Sequence, residues 1–325
     1  AMMQDRIGPE RACLIAPEKG KFLGKLRLWG LVHPIADSLK LATKEDFVPP
    51  KGHKLLYSLA PMIALAPVLL VFAVIPFGPP VVLAKLGQVL PAIGADDAVQ
   101  YLQIAHIDVG FLFVFAIASL GVYGTTLAGW SSYNQYGIMG AMRAAAQMIS
   151  YEVTMGMAIM GAFLVYGTLE PNAVVEAQMR SNWGIIMQPL GFLLFFFAAI
   201  AETKRSPFDI PEGESEIVGY FVEYSGARFM MFYLGEFLEI VFAACMVTTL
   251  FFGGWHFPGF AHAAATLPHW MVALMGIATF MVKVFILCFI QLTIRWSVPR
   301  MRYDQLMKLG WKGMLPASII NVIIT

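Results

Sequence analysis

A dense group of acidic side chains lies in one stretch of the sequence, AETKRSPFDIPEGESEIVGYFVEYSG, at residues 201–226. Like charges so close together cannot all stay ionised cheaply, so some of these groups are expected to hold and share protons. The pattern predicts a cluster that binds and releases protons near neutral pH. Seven carboxylates belong to it, if one that follows shortly afterwards is included: Glu202, Asp209, Glu212, Glu214, Glu216, Glu223 and Glu236.

The same stretch carries apolar side chains between the charged ones, such as Phe208 and Ile210. Pro207 and Pro211 prevent a continuous helix there. A solvated acidic loop is the alternative interpretation, but such a loop does not need the apolar residues. The alternation therefore predicts that residues 201–228 form a loop on the cytoplasmic side that folds back into a membrane, where protein or a water-filled cavity covers its backbone.

Further polar side chains interrupt apolar runs elsewhere in the chain. An ionisable group at mid-membrane costs about 2.5–3.5 kcal/mol on insertion scales, so each one requires an explanation. For any single residue, a structural hydrogen bond or a charge near a helix end is the simpler interpretation, whereas the whole set favours a function. The residues are Asp108, Arg143, Gln147, Tyr151, Glu152, Glu202, Glu236, Glu239 and Lys283.

The composition is that of a polytopic membrane protein. Of the 325 residues, 58% are hydrophobic and 13% are charged, with a formal net charge of +1, and the mean hydropathy is +0.69. These values exclude an ordinary soluble domain and an intrinsically disordered chain. The balanced charge also gives no electrostatic reason to expect nucleic-acid binding.

The sequence contains no pattern typical of a cofactor site. Cys13, Cys245 and Cys288 are too far apart to suggest an iron–sulfur or zinc site, and no glycine-rich nucleotide loop is present. A metal held by the histidines of one outer loop is the alternative, but their spacing is irregular and no cysteine accompanies them. We therefore expect no metal and no cofactor on this chain, and electron chemistry in partner proteins.

Seven apolar runs predict an all-α, polytopic transmembrane helix bundle, since a bilayer core of about 30 Å needs roughly 20 residues of helix. The last run is the exception, because its 12 residues cannot cross a bilayer alone. With loops assigned alternately to the two sides, 19 basic residues fall on one side and two on the other, so the first side is cytoplasmic or matrix. The runs are residues 55–77, 107–127, 144–165, 185–201, 229–252, 270–294 and 314–325.

The whole chain, residues 1–325, is predicted to be a single membrane domain. The longest segment outside the predicted spans is residues 1–54, on the cytoplasmic side. Leu28, Leu31 and Leu39 recur there at helical spacing, which predicts an amphipathic helix lying in the membrane interface. A simple surface anchor is the alternative to a binding role for this helix.

Five ordered blocks of the sequence resemble one family. They are QDRIGPER at 4–11, HPIADSLKLATKEDF at 33–47, GWSS with RAAAQMISYE at 129–132 and 143–152, AETKRSPFDIPEGESE with EYSG at 201–216 and 223–226, and VPRMRYDQLMKLGWK at 298–312. Together they resemble the H subunits of NADH-quinone oxidoreductase, which correspond to the subunit called number 1 in mitochondrial respiratory complex I. The resemblance covers almost the whole chain.

This resemblance implies eight transmembrane helices, of which the first is absent from this chain, in the bacterial inner membrane or the mitochondrial inner membrane. Members of the family form the membrane wall of a chamber in which quinone, the substrate, approaches the last iron–sulfur cluster of a peripheral subunit. They also couple quinone reduction to proton translocation through a carboxylate path. Flavin and iron–sulfur clusters are then expected in peripheral-arm subunits, with antiporter-like and small membrane subunits and lipid as further partners.

The resemblance also assigns roles to residues. Those that match the quinone chamber or its entrance are Arg6, Asp37, Arg205, Phe208, Arg295 and Arg300. Those that match the proton path are Glu152, Glu202, Asp209, Glu212, Glu214, Glu216, Glu223 and Glu236.

The chain departs from the family pattern at several positions. Residues 12–32 are an additional, partly basic segment, and Tyr133, Lys204 and Glu239 stand where the family usually has Asn. Glu239 is therefore left outside the predicted proton path. Two rival functions remain at this point: the related membrane subunit of an energy-converting hydrogenase or ferredoxin-linked complex, and a secondary transporter, which should show two halves with corresponding broken helices.

Overall fold

The computed structural model describes residues 33–82, 99–211, 218–260 and 267–325. Within these ranges the regular structure is helical except for two short strands, β1 (Val81–Val82) and β2 (Val99–Gln100), which pair antiparallel. The predicted all-α fold is therefore confirmed. In chain order the helices are α1 His33–Thr43, α2 Lys54–Val71, α3 Gly110–Ala118, α4 Leu120–Ser131, α5 Gln135–Tyr166, α6 Pro171–Arg180, α7 Gly184–Met187, α8 Pro189–Glu202, α9 Gly226–Phe251, α10 His269–Ser297, α11 Tyr303–Lys308 and α12 Leu315–Ile324.

Five helical segments of the described chain are long and apolar enough to cross a membrane, and they overlap five of the predicted spans. Two of them combine shorter elements, since α2 continues into a 3-10 turn and α4 follows α3 after one residue. The segments are Lys54–Val74, Gly110–Ser131, Gln135–Tyr166, Gly226–Phe251 and His269–Ser297.

The fourth predicted span, 185–201, is divided in the structure. The four-residue helix α7 ends before Gln188, and Pro189 begins the 14-residue helix α8. Proline is well suited to a first helical position because its missing N–H is not needed there. At 1.5 Å per residue, α8 is only about 21 Å long, so its inner end and the loop that follows lie within the bundle.

The last apolar run, 314–325, belongs to a longer helical segment than hydropathy indicated. Helix α11 continues through the π-helical turn Leu309–Met314 into α12, which gives 6 + 6 + 10 = 22 helical residues. This length corresponds to about 33 Å, enough for a bilayer core. Lys308 and Lys312 lower the hydropathy of the first half and so conceal it. Asn321 Nδ2 donates to Gln188 Oε1 at 3.0 Å, which ties α12 to the break between α7 and α8.

Helix α5 is the central element, and it packs against α4, α8 and α12. It starts at a polar cap, because the Asn134 side chain accepts a hydrogen bond from the Tyr136 backbone N–H at 3.0 Å. It ends at Gly167, whose φ of 67° is the left-handed conformation common after a helix. Its 32 residues place Gln147 beside the end of α8 and Tyr151 beside α11, where the Tyr151 hydroxyl donates to Leu306 O at 2.9 Å.

The predicted amphipathic helix is present as α1, which contacts α9. Its apolar side chains are not covered by the chain itself, since Ile35 is 62% exposed and Leu39 is 63% exposed. An exposed apolar face beside a bundle of membrane helices agrees with a position in the interface. The first residues of the predicted pattern, 28–32, lie outside the described part of the chain.

Two buried clusters form the core. The larger one runs between α5, α8 and α9. The smaller one lies near the first turns of α2 and α9 and is rich in aromatic rings, which include Tyr57, Tyr220, Tyr224 and Phe232. The rings of Tyr57 and Tyr224 stack 4.0 Å apart. This aromatic cluster supports the acidic loop, residues 203–225 between α8 and α9.

Candidate functional site

The centre of the site is a buried ion pair between the acidic loop and α9. Arg205 Nη2 lies 2.6 Å from Glu236 Oε2, and Tyr220 donates its hydroxyl to Glu236 Oε1 at 2.8 Å. Arg205 is 5% exposed and Glu236 is 3% exposed. The Arg205 guanidinium also lies 5.3 Å from the ring centre of Tyr233 and 5.0 Å from that of Phe237. Aromatic faces attract a cation, so they add to the stabilisation of this buried charge.

The acidic loop reaches this position because α5 holds one backbone carbonyl of the loop and one at the end of α8. Gln147 Nε2 donates to Ala201 O at 2.7 Å and to Phe208 O at 2.8 Å. Phe208 and Ile210 are each 3% exposed. The interleaved apolar residues therefore pack in the interior, as expected for a loop folded back among helices, and they carry Arg205 in with them.

A second buried ion pair lies beside the first. Lys204 Nζ is 3.6 Å from Glu239 Oε1, with the two side chains 4% and 19% exposed. Lys204 has a φ of 55°, and it directs its ammonium towards the Tyr220 ring, 5.8 Å from the ring centre. Lys204 and Arg205, which are adjacent in the acidic loop, are thus paired with two carboxylates of α9.

Two small cavities adjoin these ion pairs. The larger, of about 40 Å³, is lined by Glu202, Thr203, Glu239 and apolar side chains of α2, α3, α5, α8 and α9. At roughly 10–15 Å³ for each water centre, it has room for about three or four water molecules. The smaller cavity is lined by Lys204, Tyr220, Glu236 and Glu239, among others. Glu239 therefore lines both.

Glu223, shortly before the start of α9, is held by neighbouring segments. Asn134 Nδ2 donates to Glu223 Oε1 at 2.6 Å, and the Tyr57 hydroxyl donates to the Glu223 backbone carbonyl at 2.7 Å. The Tyr224 hydroxyl lies 3.2 Å from Ser131 Oγ. Burial raises the pKa of Tyr224 to about 12, so this phenol stays neutral and available for hydrogen bonding.

Glu223 lines an open groove at the surface of the protein. Its lining includes Lys51, Tyr133 and Tyr136. The residues before α2 are tied to the start of α9, because Arg228 Nε lies 3.2 Å from Asp46 Oδ2. This end of the site is thus built from three segments that are distant in sequence.

The remaining assigned residues occupy varied positions. Glu152 is half-buried on α5, and its charge acts on Glu202 together with the charges of Glu239 and Lys204. Asp37 is exposed on α1, while Arg295 is half-buried above the Trp296 ring. Asp209 is half-buried with an interaction partner, and Arg300 is exposed. Arg6, Glu212, Glu214 and Glu216 lie outside the described residues.

The structure adds polar residues that the sequence did not single out. Tyr220 and Asn134 each hold a carboxylate, yet neither follows a recognisable spacing from its partner. On the opposite side of the bundle, ligand atoms of His106, Asp108 and Glu170 lie within 4.8 Å of one another. His106 already contacts Gln103 at 2.6 Å and Glu170 at 3.5 Å, so hydrogen bonding accounts for this exposed group.

Comparisons with known proteins agree on one family. The family model described as NADH dehydrogenase matches residues 1–325. The NADH-quinone oxidoreductase H subunit numbered 1 of Geobacter sulfurreducens is 44% identical over 306 residues, covering 93% of this chain and 84% of that protein. The H subunit of Protochlamydia amoebophila is 42% identical over 326 residues, covering 100% and 88%. The one numbered 1 in Cytophaga hutchinsonii is 39% identical over 326 residues, covering 100% and 87%.

Proposed function

The chain belongs to the family of NADH-quinone oxidoreductase H subunits, and we propose that it forms part of the quinone chamber and couples quinone reduction to proton translocation through its buried carboxylates. As a family member it is a membrane subunit of an enzyme complex and works with the other subunits of respiratory complex I. These comparisons favour this function over the hydrogenase and transporter alternatives.

The observation that carries the coupling role is the row of interacting charges from Glu202 to Glu236. A protein that only packs helices has no need of three carboxylates and two cations around small cavities below the membrane surface. Charges in a low-dielectric interior interact strongly, so a proton bound at one carboxylate changes the proton affinity of the next. Such a row transmits a change of charge without a large movement of the backbone.

A contact between the acidic loop and the segment before α11 supports the chamber role. The Met301 backbone N–H donates to Pro207 O at 3.0 Å, which joins the segment that carries Arg300 to the acidic loop. Arg205 and Phe208 lie in this loop beneath the cytoplasmic surface. Quinone reduction takes up protons, so a chamber next to Arg205 and its partner Glu236 would pass the resulting change of charge directly to the carboxylates.

The proposal assigns the redox groups to partners. Quinone is the substrate, and flavin and iron–sulfur clusters belong to peripheral-arm subunits that dock on the basic cytoplasmic side. Antiporter-like and small membrane subunits are the expected neighbours within the bilayer, which is the bacterial inner membrane for a chain with bacterial relatives. The chain alone is then expected to show no NADH-dependent quinone reduction. The single-domain organisation proposed here includes the cytoplasmic segment 1–54 and the acidic loop region 201–228.

Glu202→Gln in the assembled complex tests this function. The change keeps the shape of the side chain but removes a proton-binding group from the larger cavity. Quinone reduction by NADH should fall at least about tenfold, since positioned proton transfer contributes roughly 10²–10⁴-fold. NADH oxidation with a water-soluble acceptor reports the amount of intact peripheral arm and should not change. Glu176→Gln on α6, at the opposite end of the bundle, is the matched control. Full turnover and full proton pumping in the assembled Glu202 variant would contradict the coupling role.

A further inference from the structure

We propose that Glu239 holds and passes a proton between Glu202 and Glu236, with Lys204 as the counter-charge that allows the ionised carboxylate to exist in the interior. This inference rests on the proposed function and extends it to a residue that the family pattern does not include. Its basis is the position of Glu239 and the identity of its partner.

The position of Glu239 is between the two other carboxylates. It lines the larger cavity together with Glu202, and the smaller cavity together with Glu236. Glu236 and Glu239 are three residues apart on α9, a spacing that puts neighbouring side chains on nearly the same helical face. Protons move between carboxylates over short hydrogen-bonded distances, directly or through one water. Without Glu239, the two cavities would share no carboxylate.

The two oxygens of Glu239 have different environments. Oε1 faces Lys204 Nζ at 3.6 Å. Oε2 is buried and has no hydrogen-bond partner among the described residues. A buried carboxylate oxygen without a donor costs free energy, and a bound proton or a water in the cavity would satisfy it. One oxygen is thus held by the counter-charge while the other remains free for proton exchange.

Lys204 supplies the positive charge that a further carboxylate requires here. Its side chain is 4% exposed, and a buried ammonium without a partner is strongly unfavourable. Lys204 and Glu239 are distant in sequence, and the structure brings them together. With Arg205, the two cations face Glu202, Glu236 and Glu239, so the group carries +2 − 3 = −1 when fully ionised, and one shared proton neutralises it. Glu152 on α5 adds a more distant carboxylate that acts on Glu202.

A set of three variants in the assembled complex tests this inference: Glu239→Gln, Lys204→Gln and the double variant. Glu239→Gln leaves Lys204 buried without its carboxylate, so quinone reductase turnover should fall at least about tenfold. The double variant removes both charges, and we expect it to assemble in wild-type amounts. Its turnover should remain below that of wild type, and its pH profile of turnover should be displaced, because one proton-binding group has been lost from the row.

A purely structural ion pair gives a different result. The double variant would then recover both wild-type turnover and the wild-type pH profile, and this outcome overturns the inference. Wild-type turnover in the single variant Glu239→Gln would also overturn the inference. The Glu202→Gln variant separates this inference from the proposed function: if Glu202→Gln impairs turnover and the double variant does not, only the role of Glu239 fails. If neither impairs turnover, the carboxylate path itself is wrong.

Discussion

Lys283 shows how one charge is accommodated within a membrane-spanning helix. Its Nζ donates to the backbone carbonyls of Phe252 at 2.7 Å, Gly254 at 2.9 Å and His256 at 2.5 Å. It also lies 4.9 Å from the ring centre of Trp183. These carbonyls follow the end of α9, where unpaired C=O groups carry the negative end of the helix dipole. The charge therefore stabilises a helix end, whereas the charges at the acidic loop face one another.

Lys283→Met should destabilise the outer end of the bundle. Three carbonyls lose a charged donor. Hydrogen bonds to charged groups contribute about 1.5–3 kcal/mol each, and water replaces some of them, so the stability of this end of the bundle should fall by about 2–4 kcal/mol. The measurement is the temperature at which the detergent-solubilised complex loses this chain. Lys308→Met is the control and should have little effect, because Lys308 is exposed at the C-terminal end of α11. If both variants lose this chain at the same temperature, Lys283 does not stabilise the end of α9.

Helix α5 positions the acidic loop through a close backbone approach as well as through Gln147. A Cβ added at Gly140 would lie 2.7 Å from the Cα of Gly219, in the part of the loop that carries Tyr220. Backbones can approach this closely only where a side chain is absent. The geometry of Tyr220 and its contact with Glu236 therefore depend on glycine at position 140 of α5.

Gly140→Ala is expected to displace the loop and lower quinone reductase turnover. Overpacking of this kind typically lowers stability by about 1–3 kcal/mol. The displaced segment carries Tyr220, which donates to Glu236. Gly156→Ala is a control in the same helix, because a Cβ there would meet no atom within 4 Å. That variant should be neutral, or more stable by up to about 1 kcal/mol, since alanine favours helix over glycine. Turnover and thermal stability of the two complexes check this prediction, which is wrong if the two variants cannot be distinguished.

The whole molecule separates its charged interior from an apolar outer surface. The ion pairs of the acidic loop lie between helices, whereas α10 presents large apolar side chains outward, with Phe285 72% exposed and Phe289 53% exposed. Outward apolar side chains are normal where lipid or another membrane protein surrounds the bundle. The fold thus keeps these ion pairs away from the apolar outer face of α10.

Phe285→Asp should reduce the amount of this chain in the membrane. A carboxylate near the middle of α10 costs about 2.5–3.5 kcal/mol on insertion scales and has no partner on the outer face. Phe285→Leu keeps the surface apolar and should accumulate like wild type. Quantitative detection of the chain in isolated membranes provides the measurement. Normal accumulation of the Asp variant would show that this face is not in contact with an apolar environment.

Much of the fold could be predicted from the sequence because it depends on local properties. Helix formation requires only neighbouring residues, and about 20 apolar residues suffice to identify a span. Five such spans were located, although α5 starts at Gln135 rather than at residue 144. The break before Pro189 and the start of the last helical segment at Tyr303 were missed, because a hydropathy window averages over a proline and over flanking lysines.

The composition of the acidic group could also be predicted, but its pairing could not. Packing of α9 against the acidic loop paired Arg205 with Glu236 and Lys204 with Glu239. These ion pairs form where the loop meets a helix, and that depends on the packing of α9 rather than on distance along the chain. The types of residue were therefore encoded locally, while the pairing of the charges was decided by the tertiary structure.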